Sequence, residues 1–216
     1  MRTGSPSTAE PNAGGVPEPV LAAIETHLRD RERRREELYH QARRTRRLAT
    51  ATIAKLHRGL ASTEDVAAVR HALAELTATV RGDSRADEPV ALDAFQESVE
   101  ACLLGAIVHG SPWPTPGDLG VDPEAYLLGL GDVIGEVRRL LLDRLGHEDL
   151  PAAETHLARM EHLTEALLRF DTSRAIVQLK PKQDQARILL ERSRGEVVMA
   201  RFLLHARPAA GGSSRC

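Results

Sequence analysis

Residues 90–110, VALDAFQESVEACLLGAIVHG, and residues 123–146, PEAYLLGLGDVIGEVRRLLLDRLG, are apolar stretches broken by two pairs of carboxylates, and their reading decides the fold. Neither shows the alternation of a strand. In the first, Phe95, Val99, Cys102 and Ala106 recur at three- and four-residue intervals and make one helical stripe. The second starts with Pro and Glu after the expected cap Asp122, and Gly146 is expected to close it. Helices over 90–109 and 123–145 follow.

The charges inside these helices need a reason. Glu97 and Glu100 are three apart, Asp132 and Glu136 four apart, so each pair shares a helical face. The glutamates fall beside Leu104 and Ile107, while Asp132 and Glu136 share a stripe with Gly129, Val133 and Leu140. Glycines at 129, 131 and 135 each cost about 1 kcal/mol relative to alanine in a helix, so close approach of another backbone is expected there. Two readings stand at this point: a solvated polar face, or a cation held between two helices. Close carboxylates repel and raise their own pKa values unless positive charge neutralises them. Oxygen ligands without cysteine or a matched histidine favour magnesium, manganese or calcium over zinc, and the Glu-x-x-His of di-iron bundles is absent from both helices. Magnesium, or manganese in its place, would fit phosphodiester cleavage, with one carboxylate orienting the attacking water.

Outward from these helices the punctuation is plain. A long helix is expected over 19–58 up to Gly59, and a second over 63–81 after the capping run Ser62-Thr63-Glu64-Asp65. Further helices are expected over 152–170 and 181–205, with residues 171–180 ambiguous. The proline-rich SPWPTPGDLGVDP, residues 111–123, reads as a connector. The expectation is an all-α fold of six or seven helices in one domain over 19–206, between tails 1–18 and 207–216 rich in Gly, Pro, Ser and Ala. Aromatics at 3% and hydrophobics at 42% agree with helices packed through aliphatic side chains. Two cysteines cannot build a disulfide framework, and neither a spanning segment nor an apolar leader is visible, so a cytoplasmic protein without membrane contact is expected.

The net charge of −2 conceals a basic segment: nine arginines between Arg29 and Arg47 spread around one helix against four acids. They form either a solvated helix laced with ion pairs or a surface for phosphates, bound through charge and not sequence. Arg174, Lys180, Lys182, Arg187, Arg192 and Arg194 make a second basic group, suited to phosphates or a subunit interface. Tyr39 is the only ring in the first basic stretch, which disfavours base stacking. His57, His109 and His147 lie near helix ends, where capping or surface roles are expected; His109 alone is a candidate for catalysis.

The combination of FQESVEA with VDPEAYLLGLGDVIGEVRRL, and KLHRGL upstream, resembles the translin superfamily, above all translin-associated factor X and its prokaryotic relatives, over about residues 20–205. The resemblance implies a seven-helix fold, a homo-octameric shell around single-stranded RNA or DNA, and a magnesium-dependent endoribonuclease. It also implies catalytic roles for Glu97, Glu100 and Asp132, with Glu136 as a fourth metal ligand. Arg31, Arg43 and His57–Arg58 match basic positions of the family, and Arg44 and Arg47 extend that nucleic-acid-binding set. The alternatives are a non-catalytic, translin-like binder of single-stranded nucleic acid and a helical scaffold unrelated to RNA.

Overall fold

The computed structural model describes residues 15–82, 88–173 and 176–206. Among them are seven helices and no strand: α1 Glu18–His57, α2 Thr63–Gly82, α3 Glu88–His109, α4 Pro116–Leu119, α5 Pro123–Gly146, α6 Leu150–Leu168 and α7 Lys180–Ala206. Of the expected tails, residues 1–14 and 207–216 lie outside the described residues, as does Arg174 of the second basic group.

The chain divides into two units, Met1–Glu37 and Leu38–Cys216. The described part of the first is the exposed beginning of α1, which carries the local pairs Arg29–Glu25 and Arg33–Asp30, both at 3.0 Å. Such exposed pairs contribute only tenths of a kcal/mol.

In the second unit α5 is central, with α3, α6 and α7 packed on it, while α2 lies on α3 and α6 on α7. The core joins Val69, Leu73 and Leu76 of α2, Val99, Leu103 and Leu104 of α3, Val133, Ile134, Val137 and Leu141 of α5, and Met160 and Leu167 of α6, all fully buried. Each such side chain stabilises the fold by about 1.5–3 kcal/mol. Polar contacts then fix how the helices meet. Gln183 donates to the carbonyls of Leu167 (3.0 Å) and Phe170 (2.7 Å), satisfying the end of α6 from the start of α7. Arg138 of α5 grips Glu196 of α7 through two bonds of 2.7 and 2.8 Å and also donates to Ser193.

One local expectation is corrected, and two others hold in position but not in detail. The proline-rich connector contains a helical turn, α4, because Thr115 and Asp118 close a capping box and Pro116 sits at a helix start, where its missing N–H costs nothing. Asp122 stands at the N-cap of α5 but makes no side-chain cap bond. Gly146 is the last residue of α5, and the left-handed residue beyond the helix is Glu148, with φ 58°. The connector is also anchored: Tyr126 of α5 donates to the Pro114 carbonyl and accepts from Trp113, both at 2.8 Å.

Candidate functional site

The two acidic helices meet because position 129 is glycine. A Cβ there would lie 2.7 Å from the Val99 side chain and 2.8 Å from the Gln96 carbonyl, so no other residue fits with α3 at this distance. This crossing brings Glu97 and Glu100 on α3 toward Asp132 and Glu136 on α5. Glu100 is the innermost, 9% exposed, and its carboxyl is pushed up to about 8, first by burial and then by the negative charges of Asp132, Glu136 and Glu97. Lys182 acts in the opposite direction. Among the described residues no hydrogen bond reaches Glu100.

The other three acids are already held. Glu97 accepts from Thr50 of α1 at 2.6 Å and lies 3.9 Å from Arg46, which also reaches Asp93 at 3.7 Å. Asp132 accepts from Gln96 on one oxygen and from Lys182 of α7 on the other. Glu136 accepts from His57 Nε2 at the end of α1, with Arg139 at 4.0 Å. The expectation of a capping or surface role for His57 is therefore corrected: its side chain is 5% exposed and belongs to the acidic cluster. His109 is not joined to the acids by any bond among the described residues; its Nε2 is buried without a partner.

Positions 43, 46, 47, 50 and 57 fall on one face of α1 at about 100° per residue. That face carries Arg46 and Thr50 onto Glu97 and His57 onto Glu136, so Arg43 and Arg47 continue the same stripe as exposed guanidiniums. Arg44 is exposed about a quarter turn away from Arg43. Arg31 is exposed in the first unit. Among the described residues none of Arg31, Arg43, Arg44 and Arg47 is in an ion pair.

Among the described residues no three His, Cys, Asp or Glu side chains converge closely enough to chelate an ion. The cause is visible in the partners: Thr50, Lys182 with Gln96, and His57 draw three carboxylates in three directions. The donor chemistry nevertheless fits a hard divalent cation: four carboxylates stand near one another, and Glu100 is pushed up to about 8 first by burial and then by the negative charge of the other three. Glu97, Glu100, Asp132 and Glu136 are the residues that would hold it. Cys102, fully inside α3, has its thiol pushed up to about 12 by burial and takes no part.

The acids were visible in the sequence because charge interrupts apolar helices. Gln96, Thr50, Arg46 and Lys182 complete the site without any sequence signal that joins them to the acids. Gln96 lies inside the quoted motif, but nothing in its spacing separates a clamp from a surface amide.

No family model matches the chain. A curated relative, the uncharacterized protein MJ0175 of Methanocaldococcus jannaschii, is 38% identical over 104 residues, 48% of this chain and 47% of that protein, so the match spans about half the relative's length. The structure of an AfC3PO–duplex RNA complex superposes with a TM-score of 0.79 at 29% identity, covering 87% of this chain and 99% of that one. The crystal structure of AfC3PO gives 0.76 at 30% identity, with 85% and 97% covered. Apo-NeC3PO gives 0.77 at 19% identity over 86% and 100%, a likeness of fold. With seven helices in the same arrangement and 30% identity across nearly all of AfC3PO, this chain belongs to the translin superfamily.

Proposed function

We propose that the protein is a metal-dependent endoribonuclease of the translin-associated factor X type, cleaving single-stranded RNA, with single-stranded DNA as a further substrate. The observation that carries this reading is Glu100: a buried carboxyl surrounded by three others and left without a hydrogen-bond donor among the described residues. Such a group lowers the stability of the fold and marks a place that favours the uptake of further positive charge.

Glu97, Glu100, Asp132 and Glu136 would hold magnesium or manganese. Bound there, the ion would stabilise charge on the phosphate and acidify the attacking water. Glu100 keeps its proton at neutral pH while the site lacks added positive charge, and as a carboxylate it can orient that water or accept its proton. Arg43 and Arg47 lead away from the acids along α1 and would carry the phosphate backbone toward them, with Arg44 as a further contact; Arg31, in the first unit, is a separate candidate for phosphate. That AfC3PO is known with duplex RNA supports the nucleic-acid part. Self-association is supported by Val198, Met199, Phe202 and Leu203 of α7, each 58–68% exposed, and a homo-octameric shell is part of the proposal. Among the described residues no helix is long and apolar enough to cross a membrane, and a cytoplasmic setting is part of the proposal.

A second reading, binding of single-stranded nucleic acid without turnover, is favoured by one observation: Asp132, Glu136 and Glu97 already have protein partners. Labelled single-stranded RNA incubated with magnesium, with EDTA and with Glu100→Gln separates the two. The nuclease reading expects cleavage in magnesium alone. Cleavage that survives EDTA and the substitution would remove the metal site, and binding without cleavage would establish the second reading.

A further inference from the structure

Lys182 is out of place for a surface lysine. It lies in the first turn of α7, beside Lys180 and with no acid in that turn, where the positive end of the helix dipole opposes a cation. Its stem is laid against α5 by the glycine at 131: a Cβ there would come 2.8 Å from Lys182 Cβ, 3.2 Å from Cγ and 3.4 Å from Cδ. The ammonium at the end of that stem donates to Asp132 Oδ1, and both side chains are largely withdrawn from water, 23% and 21% exposed. Gln96 takes the other oxygen, so Asp132 has its two principal acceptors filled by protein. Lys182 thus stands where the carboxylate cluster has the greatest use for positive charge.

We propose that Lys182 is the resident counter-cation of the cluster and competes with a divalent ion for Asp132. The inference rests on the metal-site reading above and deepens it. Lys182 holds Asp132 oriented while no ion is bound, and an ion gains Asp132 only as the ammonium leaves Oδ1. Gly131 makes this exchange possible by letting the stem run along α5, so that the head can swing away while the stem stays packed. Affinity for the ion is lowered by the work of separating that pair, which makes the site selective for divalent over monovalent charge.

The test is direct binding of Mn(II), followed by the electron paramagnetic resonance of the free ion, to the full chain as wild type, Lys182→Met and Lys182→Arg. Melting curves first establish that each variant is folded, and Lys182→Gln replaces the methionine variant if it is not. The expected result is Mn(II) binding about tenfold tighter in Lys182→Met, a gain of about 1.4 kcal/mol. Lys182→Arg, which keeps the charge, should stay near wild type. Equal or weaker binding by Lys182→Met, with wild type binding normally, overturns the counter-cation role and leaves the metal site standing. Absence of Mn(II) binding by every form overturns both.

Discussion

Replacing Glu100 by glutamine should make the protein more stable in alkaline solution and leave it unchanged in acid. The carboxyl is pushed from its ordinary 4.5 to about 8 in the folded chain, so between those values the folded state holds a proton that the unfolded state has lost. Stability from this group is therefore complete below pH 4.5 and falls as pH rises, until it is lost on passing about 8. At 1.36 kcal/mol per tenfold change in proton affinity, the loss approaches roughly 5 kcal/mol, and about 3 kcal/mol after relaxation of the exposed edge of the site. Glutamine has the same shape and no charge to bury. For a domain of this size 1 kcal/mol moves the melting temperature by about 2–4 °C, so the variant should melt on the order of 10 °C above wild type at pH 9, with the gap closing by pH 5. Thermal unfolding across that range in EDTA measures it. A gap that does not vary with pH, or a variant less stable than wild type at pH 9, would refute the account of Glu100. Mn(II) added at pH 9 should narrow the gap by stabilising wild type alone.

Gly129→Ala should destabilise the fold by about 1–3 kcal/mol in urea titrations, because the new methyl meets Val99 and the Gln96 carbonyl at distances that force α3 and α5 apart. The Cys102 thiol, buried and held near 12, should resist iodoacetamide in the native protein and react once urea unfolds it. Arg43→Ala with Arg47→Ala should weaken single-stranded RNA binding and lower its salt dependence by roughly 0.7 for each phosphate that is no longer neutralised, without shifting the melting temperature, since both side chains are exposed and unpaired. An unchanged salt slope would remove the α1 stripe from the nucleic-acid interface.

Helices were legible where glycine and proline punctuate them: Gly59, Gly110 and Pro123 stand within two residues of observed boundaries. The turn α4 was hidden because three prolines overshadowed the Thr115–Asp118 capping box, a short-range signal that was present all along. The four acids could be picked out as charges in apolar helices, and their convergence on Glu100 follows from the crossing of α3 and α5. Their partners could not. Lys182 is fifty positions from Asp132 and His57 seventy-nine from Glu136, separations bridged only by tertiary packing that no local period encodes. A lysine-bearing first turn without an acid was the one cue that α7 faces negative charge.

The contact at Gly129 has an evolutionary consequence. Every substitution of glycine adds a Cβ, so this position has no conservative neighbour among the amino acids, and drift there is visible to selection at the first step. Lineages that retain the acidic cluster should keep glycine at this crossing, whereas lineages that have relaxed it should also have lost pressure on Glu100. One backbone position thus becomes a marker, readable in a bare sequence, of which relatives still maintain a carboxylate site between these helices and which keep only the bundle.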